Sequence, residues 1–593
     1  MIEQHNFCQA VLLKQDMYHT NENQLTKFKR LGDLSLFKFI EYLPSMVLSN
    51  ISALLMVTVN GLVVGNFLGN DALAAVTVFA PLILIVGAFS VMVSYGIGIS
   101  LSTSIGSNEV TQIHQVKTAS FWLIICCSVF AAIFQIPLFW ILLKAYRLPD
   151  SIYALSWQYA FGAMLSTPLS MISTIGSNML QISGNPKILT RLTVLEGFVN
   201  LLLNLLFVGL LHTGIAGASL GTACANFIRA GATLICLLRY TDMICCRRCS
   251  YGFAEYIRIL KLGVPNAVSS LLNAFQDYLF MQILILVFGK NAGTIDAICT
   301  FSFSVLNGLT MGILDALRPI AGLLSGAGDR DGLKILMRQT AQFIAGIIGA
   351  ITLANELFPG FLFTLHGIKD IPPGGIASFR IFSLYLLPYA FANFFLLFLV
   401  TRKDVEYTTK ITVISNIFQP LVGLLIMKVC SAPWVYLSYS ITAVLLLIPY
   451  MLRYRCLSER EKREAETCRD TVLYMSVKPH EAVEASRAIR EFADEQRIHK
   501  KIAYRIALCM EEMVAYVEYV NKKNIAAQII IRFKESGDAT FAIMDNGKCI
   551  AYQMEEDREK GLSTNNYVLM QRLAKDVKYQ YVLNMNYTIL EFA

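Results

Sequence analysis

Long apolar runs separated by short polar turns fill the chain as far as Leu452, and a different rhythm follows. A membrane-spanning helix needs about 20 apolar residues. Twelve runs meet that length, at 45–68, 72–100, 118–143, 153–180, 190–211, 215–238, 262–288, 295–325, 338–358, 378–401, 408–427 and 432–452. The pattern predicts an all-α polytopic membrane body. From Arg453 onward charges crowd in, as in Glu459-Arg-Glu-Lys-Arg-Glu464, and a soluble α/β tail is expected. Within it Thr471–Val477 alternates as a strand, and helical periods cover 480–496 and 500–521. Strands fit 527–533 and 539–544, 566–575 reads as a helix, and 577–583 with 586–592 as a closing hairpin. The expected organisation is a cytosolic N-terminal segment 1–40, a first lobe 41–239, a basic linker 240–261, a second lobe 262–452, a charged linker 453–470 and the tail 471–593.

The membrane body repeats itself. Thr58-Val-Asn60-Gly61 to Gly69-Asn-Asp71-Ala-Leu-Ala-Ala75 returns as Leu286-Val-Phe-Gly289 to Gly293-Thr-Ile-Asp296-Ala297. Pro44 is matched by Pro265, and Gly106-Ser-Asn-Glu109 by Gly326-Ala-Gly-Asp329, at offsets of 220 or 221 residues. A constant offset over such distances marks a duplicated unit. In so apolar a chain, repeated halves point to a transporter with its substrate site between them.

Composition agrees: the chain is 55% hydrophobic and 16% charged, with mean hydropathy +0.53, against about 25% charged residues in soluble domains. One set of alternate loops carries fourteen Lys and Arg, among them Lys187, Arg191, Arg247, Arg248, Arg330 and Arg402; the other carries five. The positive-inside rule then places both termini and the tail in the cytosol of an inner (plasma) membrane protein. The net charge of +8 reflects that topology rather than nucleic acid. Residues 1–41 lack the apolar core of a cleavable signal. The fourteen cysteines show no disulfide spacing, and Cys245-Cys246-Arg-Arg-Cys249 has no fourth ligand nearby, so no metal site is expected.

Three stretches give the membrane body a family likeness: Val59-Asn60 to Gly69 with Asp71-Ala-Leu-Ala-Ala75, Leu195 to Thr222, and Arg318-Pro319-Ile-Ala-Gly322 to Gly328-Asp329. Together they resemble the multidrug and toxic compound extrusion (MATE) family over residues 35–450. The resemblance implies two six-helix lobes around a cavity that opens alternately to each side, with efflux driven by Na⁺ or H⁺. Family members commonly carry an Asp where this chain has Asn60 and Asn204. An amide can coordinate Na⁺ or hydrogen-bond a substrate, but it does not titrate near neutral pH.

An ionisable group in lipid costs at least ~2.5–3.5 kcal/mol, which makes each one a candidate for function. Glu196, Asn200 and Asn204 fall at i, i+4 and i+8 and so share a helix face. Asn200 keeps the family amide, Thr222 matches a family hydroxyl, and Glu196 could supply the missing carboxylate or meet headgroups or Arg191. In the second half Asp277 lies mid-helix with Asn273 one turn before it, and no base lies within a turn. Asp315 and Arg318, at i and i+3, can pair with each other. The aromatic run Phe391 to Phe398 reads mainly as packing or lipid-facing.

In the tail, Ile506 to Met513, Asp545-Asn-Gly547, Gly561-Leu562 and Leu569 to Tyr579 resemble the compact anti-sigma-factor-kinase branch of the GHKL ATPases, an α/β sandwich. The resemblance makes Asp545 the acceptor of an adenine amino group, Gly547 the turn beside it, and Glu512 the activating carboxylate. The family's Mg²⁺-ligating Asn is replaced by Tyr516, and Thr564-Asn565-Asn566 stands where a Gly-x-Gly loop would cover the phosphates. ATP and Mg²⁺ binding are accordingly expected to be weak or absent, and hydrolysis absent.

The sequence therefore supports a secondary exporter of drug-like or organic compounds, not an enzyme, with a degenerate nucleotide-binding-like regulatory tail. No certain cofactor is implied. The expected partners are a small organic substrate, the lipid bilayer and a cytosolic regulatory protein at the tail, with the transporter itself a monomer. Two alternatives remain open at this stage: a signalling receptor whose tail binds a regulator, and a flippase for a lipid-linked substrate.

Overall fold

A computed structural model describes residues 33–107, 109–146, 149–241, 252–289, 292–365, 371–430, 432–467, 471–521, 527–549 and 570–593, a few side chains within them excepted. The Cys245, Cys246 and Cys249 cluster, Gly561-Leu562 and the Thr564–Asn566 stretch lie outside the described residues. The chain divides into two compact units. One comprises Lys38–Gly328 and Met337–Ser458, and the other the chain ends with Asp329–Leu336.

The larger unit is helical throughout. Its first half runs α1 (Asp33–Leu68), α2 (Asn70–Ser107), α3 (Val110–Tyr146), α4 (Asp150–Ile182), α5 (Pro186–Asn204) and α6 (Gly214–Tyr240). Its second half runs α7 (Phe253–Phe288), α8 (Ala292–Gly326), α9 (Arg330–Leu357), the short α10 (Pro359–Leu365), α11 (Gly375–Ser383), α12 (Leu386–Thr401), α13 (Val405–Val429) and α14 (Leu437–Thr467). Helices satisfy every backbone group internally, as lipid demands, and that same setting tolerates Pro44, Pro81 and Pro265 inside them.

Among the described residues, eleven helices are long and apolar enough to cross a membrane, one fewer than the sequence pattern predicts. The difference is the expected span 153–180. It does form a 33-residue helix, α4, but Ser156, Gln158, Ser166, Thr167, Ser170, Ser173 and Ser177 give it many hydroxyls and amides. α4 packs against α2 and α6, so many of those groups face protein.

The duplicated positions behave alike. Gly69 and Gly289, 220 residues apart, close α1 and α7 with positive φ of 80° and 54°. Along the α2–α8 crossing, equivalent positions meet each other. A Cβ on Gly322 would lie on the Ser102 hydroxyl, and a Cβ on Gly106 would come within 2.9 Å of the Gly326 Cα. Contacts between equivalent residues are what a two-fold relation between halves produces. Gly106 and Gly326 let two backbones approach where any side chain would separate them.

The smaller unit carries a five-stranded antiparallel sheet in the order β1-β2-β3-β5-β4, formed by β1 (Thr471–Val477), β2 (Ala527–Phe533), β3 (Ala539–Asp545), β4 (Asp576–Val582) and β5 (Met585–Phe592). Helices α15 (Ala482–Glu495) and α16 (Lys500–Asn521) join a core with Met475, Ile489, Ile506, Met510, Ile531 and Phe541. Leu583 and Asn584, both at positive φ, link β4 to β5 in a two-residue hairpin whose left-handed turn suits the strand twist. Gln528, Ile530, Met544 and Tyr587 alternate with the core residues and are also buried. The same unit takes in Asp329–Leu336, with Asp329, Leu333 and Leu336 buried.

Candidate functional site

In the first half, the i, i+4, i+8 spacing on α5 builds a chain of amides. Asn204 donates to Asn60 on α1 at 2.8 Å and to Asn200 at 3.0 Å; Asn200 donates to the Thr222 hydroxyl on α6 at 3.0 Å. Asn200 and Asn204 are 1% and 2% exposed, and the Asn204 amide oxygen is buried without a hydrogen-bond partner. The α6 face opposite is built of small residues. At Gly221 a Cβ would sit 2.7 Å from that oxygen, so glycine is what admits the amide. Directly after Asn204 the helix widens into a π-turn, Leu205–Leu210, a deviation frequent at functional sites.

Among the described residues, Glu196 pairs with an arginine other than Arg191. Arg229, one face along α6, donates to it at 2.5 Å, and the two side chains are 15% and 4% exposed. A carboxylate already neutralised by a buried guanidinium is a structural pair rather than a free acid. Arg229 also reaches the Ser177 hydroxyl on α4 at 3.5 Å.

In the second half the chemistry is acidic. Asp277 on α7 accepts from the Tyr439 hydroxyl at 3.2 Å, and Asp296, in the first turns of α8, from the Tyr436 hydroxyl at 3.5 Å. Tyr439 lies within electrostatic reach of both carboxylates. The tyrosines belong to an aromatic cluster: Phe280 lies 4.6 Å from Tyr439, Phe382 5.5 Å from Tyr439, and Tyr385 5.2 Å from Tyr389, centroid to centroid. Tyr389 donates to Asn307 at 3.2 Å. Asn273 lines a neighbouring narrow polar cleft with Gln276, Asn393 and Asn416. Farther along the aromatic run, Phe394 and Phe398 are buried and pack on each other.

A third cluster joins the halves. Arg318 pairs with Asp315 at 2.7 Å, as their spacing predicts, and Asp315 also accepts from Asn50 on α1 at 3.1 Å. Beside the α2–α8 crossing, a cavity of about 1220 Å³ is lined from both halves by residues including Gln112, Arg258, Lys261, Lys403 and Glu406.

In the tail, Asp545 is fully buried. One of its carboxylate oxygens accepts from the Gly547 amide at 2.7 Å and from Asn586 at 2.8 Å, and the other has no hydrogen-bond partner. Burial pushes its carboxyl up to about 6, against the pull of those two donors. Glu512 is half-buried on α16. One turn on, Tyr516 stacks on Tyr519 at 6.4 Å.

Residues 45–206, which include Asn60, Glu196, Asn200 and Asn204, match the MatE family model. A solved structure described as the outward-facing conformation of a multidrug resistance MATE family transporter superposes with TM-score 0.67 at 17% identity, over 72% of this chain and 96% of that one. The membrane body carries the MATE transporter fold. Two curated relatives share sequence with the chain. A probable multidrug resistance protein of Bacillus subtilis, YoeA, is 23% identical over 333 residues, which is 53% of this chain and 69% of the relative. An FAD transporter of Shewanella oneidensis is 24% identical over 289 residues, 47% of this chain and 62% of the relative. The likeness, together with eleven helices long and apolar enough to span among the described residues, marks a multi-pass membrane protein.

Arg229, Asp296, Tyr436, Tyr439 and Asn50 escaped the reading of the sequence. Asp296 was visible only as part of the repeated turn, and Arg229 as a lone arginine within an apolar helix. The remaining three gave no local signal, because each acts on a partner at least 140 residues away.

Proposed function

We propose that this protein is a cation-coupled exporter of small organic compounds, working by alternating exposure of the space between two six-helix halves. The observation that carries this reading is the MATE fold holding two carboxylates, Asp277 and Asp296, whose hydrogen-bond donors are neutral tyrosines. A carboxylate so placed can exchange its charge for a proton or Na⁺ and release it again, which an ion-paired one cannot do cheaply. Glu196 is excluded from that role by Arg229. The aromatic rings around Asp277 favour organic cations through cation–π contact. In the first half, Asn60, Asn200, Asn204 and Thr222 present oxygens suited to Na⁺ or to substrate donors, and the unpartnered Asn204 oxygen is the site most in need of one. Counting α4, twelve helices cross the inner membrane, with the basic loops and both termini cytosolic. The chemistry needed is transport, with no covalent step.

Purified protein in proteoliposomes tests this reading. Efflux of a cationic dye should follow an imposed Na⁺ or H⁺ gradient, and absence of gradient-driven flux for every substrate tried would sink it. A second reading follows the Shewanella FAD transporter: a flavin nucleotide as substrate. Flux of that anion in place of the dye would favour it.

The tail acts as a regulator in this proposal. Its unit takes in Asp329–Leu336. Element order, the buried Asp545 and the Gly547 turn support a GHKL-like origin, while a phenol at Tyr516 is a poor ligand for the hard Mg²⁺ ion. Calorimetry of the full chain with ATP and Mg²⁺ is expected to give weak or no binding; micromolar, Mg²⁺-dependent affinity lost in Asp545→Asn would instead make the tail a nucleotide sensor. Flux surviving truncation after Thr467 separates a carrier from a receptor.

A further inference from the structure

We infer that Asp315 and Arg318 of α8 form a latch that holds the two halves together and must release for access to exchange; this rests on the alternating-access reading above.

Three first-half helices fasten on this single turn of α8. Asn50 of α1 donates to the Asp315 carboxylate at 3.1 Å. Tyr95 of α2 places its ring 3.5 Å from the Arg318 guanidinium carbon. Gln181 of α4 donates to the Asp315 backbone carbonyl, and its own carbonyl accepts from Tyr42 of α1 at 3.2 Å.

Residues 315, 318, 322 and 326 follow one another at helical spacing, so the polar hub and the glycine crossing share one stripe of α8. One and two turns beyond Arg318, Gly322 and Gly326 meet Ser102 and Gly106 with no room for a side chain. The stripe is therefore closed sterically at one end and electrostatically at the other.

The distribution of charge makes this a latch rather than a permanent clasp. The strong interaction, Arg318 to Asp315 at 2.7 Å, lies within α8 and survives any separation of the halves. Only the cross-half contacts must break: an amide to a carboxylate, an amide to a carbonyl, and the Tyr95 ring and hydroxyl against the Arg318 cation. No buried charge is stranded when they do. The Asp315 side chain is 23% exposed, so water can take the place of Asn50. The two residues thus position the halves without touching substrate.

The test needs no knowledge of the substrate. Spin labels carried by non-natural amino acids at Gln112 and Glu406, on opposite walls of the large cavity, report the separation of the halves by pulsed electron resonance on the full chain. Asn50→Ala and Asp315→Asn should each raise the long-distance population relative to the short one by about tenfold, the effect of one hydrogen bond to a charged group. Tyr95→Leu removes both the ring beside Arg318 and the hydroxyl bonded to it, and should shift the distribution in the same direction. Unchanged distances in both Asn50→Ala and Asp315→Asn overturn the latch, as does a shift in Asp315→Asn alone, which would confine Asp315 to a role within α8. Because distance is read separately from flux, absence of gradient-driven flux in the native protein would sink the exporter reading, while a shifted distribution in the variants would leave the latch standing.

Discussion

The two halves of the membrane body descend from one repeated pattern, yet their polar interiors differ in kind. The first half holds amides and a hydroxyl linked donor to acceptor, and the buried carboxylate beside them, Glu196, is neutralised by Arg229. The second half holds Asp277 and Asp296, donated to by tyrosine hydroxyls that belong to an aromatic cluster. Amides and hydroxyls rigidify through hydrogen bonds and stay uncharged across the physiological pH range. Carboxylates beside phenols keep the capacity to gain or lose charge. Under the proposed function, the same fold separates a neutral half from a half able to carry the coupling charge.

The largest expected effect breaks this contrast directly. Asp277→Asn combined with Asp296→Asn should lower gradient-driven efflux at least about tenfold, while Asn60→Ala leaves the pH profile unaltered and reduces substrate or Na⁺ affinity. Native flux in the double aspartate variant would move the coupling charge elsewhere.

Next in size is Glu196. Its removal in Glu196→Ala strands Arg229 in a mostly buried setting and should cost about 3 kcal/mol of stability, read as a lower melting temperature in detergent. Glu196→Leu with Arg229→Leu should recover most of that loss while the pH dependence of transport stays native. A pH profile altered by the double change would show that Glu196 titrates during transport and is not merely structural.

The tail calibrates what burial does to a carboxylate outside the membrane. Asp545 has its carboxyl raised from 3.8 to about 6. A raised folded-state value means that the group's contribution to stability is full below about pH 4, is lost as pH rises to about 6, and stays lost above. The span is of order 3 kcal/mol, because each tenfold weakening of an acid on folding is worth about 1.4 kcal/mol. Hydrogen exchange across 539–545 and 585–592 in the full chain, corrected for intrinsic pH dependence, should show that slope, and Asp545→Asn should flatten it. An identical slope in the variant would assign the pH dependence to other groups.

How much was legible follows from range along the chain. The tail strands came out within a residue of their expected bounds because period-two alternation is local. The first-half amide row and the Asp315–Arg318 pair were equally local, at spacings of three and four. The partners of the isolated acids were not. Tyr439 comes to Asp277 across 162 residues, Arg229 to Glu196 across 33, and Asn50 to Asp315 across 265. Helix packing sets those meetings, and an apolar stripe says only that a face is buried, not which polar group waits on the other side. The polar α4 is less apolar than the other spans for a related reason: it packs against α2 and α6, a fact absent from its own hydropathy.

The smallest effect sharpens the comparison by trying to turn one half into the other. In the first-half chain Asn60 acts as acceptor, while Asn204 gives both amide protons, to Asn60 and Asn200. Asn60→Asp keeps an acceptor oxygen facing Asn204 and introduces a titratable group. It should fold at nearly native stability and add a proton-dependent step to transport. Asn204→Asp removes both donors and sets carboxylate oxygens against two carbonyl oxygens; even when protonated it can satisfy just one of them. It should cost about 1 kcal/mol or more relative to Asn60→Asp, the scale of one lost hydrogen bond. Melting temperatures of the two variants decide the matter, since they differ by one amide-to-acid change at either end of a single 2.8 Å bond. Equal stability would reverse the donor order along the chain, and an unchanged pH profile in Asn60→Asp would mean that charge introduced in the first half has no part in the transport cycle.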